Sequence, residues 1–390
     1  MRHEITEDAI TVWLQEDIGS FNAPAIEEEL QSVVGDLTDV TLDMTDVTYI
    51  SSSGIRIIMR LAKRCSHFAL VGVQPEVYEV LDMTGLTEML EVHRRIRNVN
   101  IDGLKQIGAG AFGRVYRWDS ERVIKVYSAE VNPLDQIEHE RVVARASFVH
   151  DIPSAIPFEV VTVGDEHGII YELIDAQTLG EAVMANPAQV DDYAERMAQL
   201  LRRLHGTHFG EGVLPDARGI FHRWVDTAEK SGLYRTDTIA ELRRVVDELG
   251  TADTFAHGDF HPANIMVIPD GELLLIDMGD ASVGNPLIDL AGTFHVLRIA
   301  ARRPGGAEHL TGMTQELLDR LWDVFIRTYY EVASGDDARV AELEHMLRVA
   351  ALPRTMGSTA RSKLLDDETR RVQAAELEAF FWETRSGANA

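Results

Sequence analysis

The sequence predicts two folded parts in series: a small α/β unit over roughly the first hundred residues, then a larger α+β unit of two lobes. Three observations carry this. Strand-like and helical runs alternate through the N-terminal quarter, as in a layered sheet with some parallel pairing. Glycine-punctuated strand patterns, a helix and two further strand patterns follow over 104–174. Beyond them lie a hairpin and a long series of amphipathic helical segments. The divisions fall at 1–97, 98–176 and 177–390.

In the first unit, 9–14 alternates like a half-buried strand, and Asn22 with Pro24 and early acids marks a helix start. Strands are expected at 40–44 and 67–72, and helices at 54–64 and 75–83. Between the second strand and second helix, Tyr49-Ile-Ser-Ser-Ser-Gly-Ile places three serines at a helix start. One serves as N-cap. A phosphoserine there would also face unpaired backbone N–H groups and the positive helix end, so a switch stays open beside capping. The junction at 92–100 is basic and lacks the Gly/Ser/Pro composition of a flexible tether.

The 390 residues carry 64 acidic and 37 basic side chains, a formal charge of -27. That balance argues against nucleic acid and anionic membrane as partners, since both demand basic patches. The one cysteine, Cys65, cannot form a disulfide within the chain and reads as a core thiol in an apolar helical run. No secretory h-region and no membrane-spanning apolar run is visible, so a cytoplasmic protein is expected.

The chemistry concentrates in His257-Gly-Asp-Phe-His-Pro-Ala-Asn264 and Ile276-Asp-Met-Gly-Asp280. Two short apolar runs flank Pro269-Asp-Gly-Glu272, a strong turn signal. A hairpin would set Asn264 beside Asp277, an amide and a carboxylate suited to Mg²⁺ that also takes phosphate and water. With Asp259 as the acid that takes a hydroxyl proton, the set reads as a phosphoryl-transfer site. Upstream, Gly108, Gly110, Gly113 and Val115 form G-x-G-x-x-G-x-V. Strand patterns at 114–118 and 122–127 follow rather than a helix, which points to a glycine-rich hairpin over nucleotide phosphates and not a dinucleotide fold. Lys125 falls where a phosphate-gripping lysine belongs, and the helical 134–144 would supply its carboxylate, Glu138 or Glu140.

Two resemblances add to this reading. Leu42-Asp-Met-Thr-Asp-Val-Thr-Tyr-Ile-Ser-Ser-Ser-Gly-Ile-Arg56 resembles the signature of STAS domains, the fold of bacterial anti-sigma-factor antagonists, over roughly 1–95. The resemblance implies a phosphorylatable serine two before the glycine, Ser52. Ser51 stands where the best-known members have Asp, so Ser51 and Ser53 stay open as well. Residues 101–390 resemble the aminoglycoside phosphotransferase/choline kinase group, of bilobal protein-kinase-like fold. That resemblance implies ATP and Mg²⁺ as cofactors and Asp259 as the catalytic acid. It implies Asn264 and Asp277 as metal ligands, and Lys125 braced by Glu140 on the α/β-phosphates. It also implies adenine contacts from the backbone near Glu172 and Ile174. Val283-Gly-Asn-Pro-Leu-Ile-Asp-Leu-Ala291 is similar to a motif of the same group, in which Asp289 is structural and bonds the catalytic loop. His257 and His261 read as polar residues bridging the loop rather than as ligands.

The function expected is transfer of a γ-phosphate to a small-molecule hydroxyl, with the N-terminal domain as a regulatory or docking module for an anti-sigma-like protein. Gly258 in place of arginine, and the short interval from Asp277 to Pro286, leave no room for a switchable activation loop. Two alternatives remain: a protein serine kinase acting on the STAS turn in cis or trans, and a non-catalytic scaffold. The region 311–382 is expected to be helical throughout and to wall the substrate cleft.

Overall fold

A computed structural model describes residues 1–6, 9–109, 113–129, 132–362 and 365–387. The chain divides into two compact units, Met1–Val99 and Asn100–Ala390.

The first unit runs β1 (Arg2–Thr6), β2 (Ala9–Trp13), α1 (Ala23–Val34), β3 (Asp39–Asp43), α2 (Ser52–Ala62), β4 (His67–Val73), α3 (Pro75–Met83) and β5 (Glu91–Arg94), with the two-residue β6 (Arg97–Asn98) at its end. The sheet order is β1-β2-β3-β4-β5. β1 and β2 form an antiparallel hairpin, and β2, β3, β4 and β5 pair in parallel. Period-two alternation buries Ile10, Val12, Val40 and Leu42 on one face, where they meet Ile26, Leu30, Ile57 and Leu61 at helical spacing. β1 is exposed along its whole length, so it carries no core pattern to announce it.

Three local readings change. Asn22 does not cap α1: its backbone is already helical (φ -94°, ψ -10°). Its side-chain amide instead donates to Asp17 O at 2.8 Å and Glu16 Oε2 at 3.1 Å. α2 starts two residues before Gly54, at Ser52. Cys65 lies beyond the end of α2, half-buried, with Sγ donating to Leu61 O at 3.2 Å. Burial raises its thiol pKa.

In the second unit, β7 (Gln106–Ala109), β8 (Gly113–Arg117) and β9 (Arg122–Tyr127) are followed by α4 (Leu134–Val149), β10 (Pro157–Val163) and β11 (Glu166–Glu172). These strands pair antiparallel in the order β10-β11-β9-β8-β7. The second lobe opens with β12 (Gln177–Thr178), α5 (Leu179–Ala185), α6 (Val190–His205), α7 (Arg218–Ser231) and α8 (Thr236–Glu248). β13 (Phe255–Ala256), β14 (Ile265–Val267), β15 (Leu273–Leu275) and β16 (Ser282–Val283) carry the central loops. Then come α9 (Pro286–Phe294), α10 (Gly306–Thr311), α11 (Gln315–Tyr330), α12 (Asp337–Ala350), α13 (Leu352–Arg361) and α14 (Asp367–Gly387). A large core built on Leu201, Phe255, Phe260, Leu290, Trp322 and Phe325 ties these helices to the central strands. Among the described residues, no helix is long and apolar enough to cross a membrane.

Candidate active site

Pairing of β13 with β16 fixes the start of the loop 257–264, which is buried apart from the half-buried Asp259 and Ala263. Asp289, fully buried on α9, holds the start of that loop. Its Oδ2 accepts from His257 N at 2.8 Å and its Oδ1 from Gly258 N at 2.9 Å. Burial favours the neutral acid, but His205, whose Nε2 lies 3.3 Å from Oδ2, and the loop donors outweigh it and hold Asp289 below the usual carboxylate range. One turn on, Thr293 Oγ1 donates to Phe260 O at 2.9 Å. Gly258 adopts φ +81°, and a Cβ there would stand 2.5 Å from Asp280 O. Both facts require glycine and explain why arginine cannot occupy this position.

Asp259 is thereby left half-buried. Its Oδ1 receives Arg354 Nη2 at 2.5 Å; its Oδ2 receives Asn264 Nδ2 at 3.2 Å and lies 3.4 Å from His261 Nε2. Burial pushes its pKa up, yet His261 and the Arg354 guanidinium prevail and hold it well below the usual range. Asn264 also donates to Asp259 O at 2.9 Å. It stands at the mouth of the hairpin, where Ile265 faces Leu275 and Ile276 N donates to Asn264 O at 3.0 Å. Asp277 follows at once with a left-handed backbone, φ +61°, a conformation that non-glycine residues adopt under local strain, typically at functional sites.

Strand alternation puts Lys125, Tyr127 and Tyr171 on one face of β9 and β11, under α4. Lys125 Nζ lies 2.9 Å from Glu140 Oε1 and 2.8 Å from Asp277 Oδ1. Burial alone would favour the neutral amine, but Asp277 and Glu140 reverse this and raise the Lys125 pKa. Glu140, not Glu138, is the partner. Tyr127 OH and Tyr171 OH donate to the same oxygen at 2.6 and 3.0 Å. Burial, reinforced by the Glu140 charge, keeps both phenols protonated.

A metal is tested by the donor set. Among the described residues, no group of three or more His, Cys, Asp or Glu gathers for an ion. Asn264 and Asp277 offer one amide and one carboxylate oxygen from the two ends of a hairpin. That set fits Mg²⁺, which completes its shell with phosphate and water.

The glycine loop is partly in view. Gly108 on β7 faces Val115 on β8, and Gly113 opens β8; Gly110 lies outside the described residues. At the lobe junction, Glu172 N is committed to Ile156 O at 2.9 Å, and Ile174 O accepts from Ala176 N at 3.0 Å. At the serine turn, Ser51 is the N-cap of α2, buried, its Oγ 3.3 Å from Gly54 N. Ser52 is exposed and Ser53 half-buried.

Sequence reasoning missed Tyr127, Tyr171, Arg354 and the pair Arg223–Asp280, which meets at 2.6 Å, with Asp280 O beside Gly258 of the loop 257–264. Burial raises the Asp280 pKa despite Arg223. Alternation with Lys125 could have exposed Tyr127. Nothing local marks Arg354, which lies 95 residues from Asp259.

A STAS domain model matches residues 1–99, and the model of the phosphotransferase enzyme family matches 103–333. The N-terminal part is 26% identical over 90 residues to an anti-sigma-B factor antagonist of Listeria monocytogenes, covering 22% of this chain and 79% of that protein. An ethanolamine kinase of Plasmodium vivax is similar in structure at TM-score 0.47 and 14% identity, covering 71% of this chain and 83% of that one. A thermostable mutant of aminoglycoside phosphotransferase APH(4)-Ia gives 0.48 and 14%, with 74% and 96% covered. The α/β first unit is STAS-like and the second is a bilobal protein-kinase-like fold, and by the match over 103–333 the chain belongs to the phosphotransferase enzyme family.

Proposed function

We propose that the chain transfers the γ-phosphoryl group of ATP to a hydroxyl of a small molecule. One observation carries this reading: Lys125 is held by Glu140 and Asp277 in one half-buried network, and Asp277 shares its hairpin mouth with Asn264 and Asp259. A degenerate scaffold would have no reason to keep each of these groups in bonding register.

Asp259 stays ionised through the neutral range, so it orients the acceptor hydroxyl and takes its proton as the new O–P bond forms and ADP departs. A weakly basic carboxylate suffices, because phosphoryl transfer through a loose transition state needs positioning and charge neutralisation more than a strong base. Lys125 turns from Asp277 to the α/β-phosphates when nucleotide enters. Asn264 and Asp277 would hold Mg²⁺, which supplies neutralisation of the developing phosphate charge. β16 and α9 follow Asp277 directly, which leaves no switchable loop for a protein acceptor. The STAS domain would then regulate the enzyme or dock a protein partner.

The exposed Ser52, in the first turn of α2, favours a second reading in which the acceptor is that serine. The test is incubation with Mg-ATP and a panel of amino alcohols, sugars and aminoglycosides, followed by mass spectrometry of acceptors and protein. The expected result is a phosphorylated small molecule, with transfer lowered about 10²–10⁴-fold in Asp259→Asn. Phosphate on Ser52 that vanishes in the same variant would establish the second reading instead. Neither product, with no ATP bound, rejects both.

A further inference from the structure

Arg354 lies in α13, beyond the stretch matched by the phosphotransferase family, and belongs to none of the motifs of the site. It is 9% exposed. A guanidinium withdrawn from water is strongly unfavourable unless it is fully paired. Its pairing is specific. Nη1 donates to Gly258 O at 2.9 Å while Nη2 donates to Asp259 Oδ1. One planar fork therefore grips both the backbone and the side chain of the same turn, a geometry that a lysine cannot reproduce.

The surroundings are shaped for the fork. A Cβ on Gly292 of α9 would stand 2.8 Å from Nη1. The guanidinium carbon lies 5.8 Å from the Trp224 ring centroid on α7. One turn on, a Cβ on Gly357 would stand 2.4 Å from Trp224 O, so α13 lies flush against α7. Asp289 accepts from the N–H of Gly258 and Arg354 donates to its C=O, so the peptide planes on both sides of this residue are held.

We infer that Arg354 is a positioning residue for the phosphoryl transfer proposed above: its fork fixes the Asp259 carboxylate with Oδ1 tied back and Oδ2 presented to the acceptor hydroxyl. The inference rests on Asp259 being the catalytic acid. A brace that only held α13 in place would stabilise the fold and leave turnover intact, which separates the two roles.

The experiment measures ADP release from Mg-ATP, with and without the acceptor panel, for Arg354→Met, Gly292→Ala, Asp259→Asn and the double variant Arg354→Met/Asp259→Asn. Thermal midpoints and ATP binding are followed in parallel. The expected result is a kcat about 10²-fold lower in Arg354→Met and in Gly292→Ala, as for a misplaced catalytic group. KM for ATP should stay within about threefold. In the Asp259→Asn background, Arg354→Met should cause no further loss, because the fork acts through that carboxylate. In a further variant assayed in parallel, Arg354→Ala, added guanidinium should restore part of the turnover. The inference is overturned by an unchanged kcat, by losses that multiply in the double variant, or by a rise in KM at constant kcat. If Arg354→Met fails to fold, Gly292→Ala, which leaves the charge in place, decides by the same criteria. If the parent protein releases no ADP, the proposed function falls first and takes this inference with it.

Discussion

Gly258 shows how much of the site hangs on one backbone conformation. Its positive φ turns the chain so that its own N–H meets Asp289 and its C=O meets Arg354, and so that the Asp259 carboxylate comes within reach of Arg354 and Asn264. Gly258→Ala would place a methyl group 2.5 Å from Asp280 O in a left-handed conformation. The expected outcome is a loss of about 1–3 kcal/mol of stability with a larger proportional loss of turnover; equal midpoints and rates for the two proteins would refute the strain argument. Residues whose partners lie close in sequence or in a recurring motif were readable: Asp259, Asn264 and Asp277 sit around one hairpin, and Lys125 follows its glycine strand at a fixed distance. Arg354 and Tyr171 were not, because their value comes only from what the fold brings to them. An arginine in a helix reads as surface until a carboxylate is found beside it. A tyrosine in a strand reads as core until its hydroxyl is seen on Glu140.

Elements were legible where a periodicity met a punctuation signal. Pro269-Asp-Gly-Glu272 between apolar runs produced the hairpin of β14 and β15, and the Ser-Gly step produced the start of α2. β1 was not legible, since a wholly exposed strand has neither face to bury. The last helix, α14, depends on contacts equally hidden in sequence. Arg385 Nε donates to Glu241 Oε1 on α8 at 2.8 Å, and Arg235 N on the approach to α8 donates to Glu378 at 3.0 Å. The bond from Arg244, with that from Arg385, lowers the Glu241 pKa from an ordinary 4.5 to about 2. A carboxylate with a depressed native pKa stabilises the fold above its unfolded pKa and loses that contribution as pH falls through the native value. The contribution of Glu241 should therefore be full above about pH 5 and decline towards pH 2. Glu241→Gln should flatten that part of the midpoint-against-pH curve. Parallel curves for the two proteins would show that the pair does not couple to folding.

At the scale of the whole molecule, each unit has a hydrophobic core of its own. The first packs one sheet against its helices and ends at Val99; the second ties α4 to the helical lobe. Units with separate cores unfold as separate cooperative transitions. Calorimetry should therefore resolve two. Unfolding enthalpy scales with length, so the transition of Asn100–Ala390 should carry roughly three times the enthalpy of Met1–Val99. That difference identifies the peaks without dissecting the chain. Mg-ATP should then raise only the larger one, by about 2.7 kcal/mol at a hundredfold excess over its dissociation constant, because Lys125, Asn264 and Asp277 all lie in the second unit. Asp277→Ala should abolish the shift and leave the smaller transition where it was. A single transition that moves as a whole on adding nucleotide would show instead that the two units fold as one and that nucleotide occupancy is transmitted to the serine turn. Two peaks with only the larger displaced would mean that any regulation through Ser52 must act by docking a partner rather than by a shared folding equilibrium.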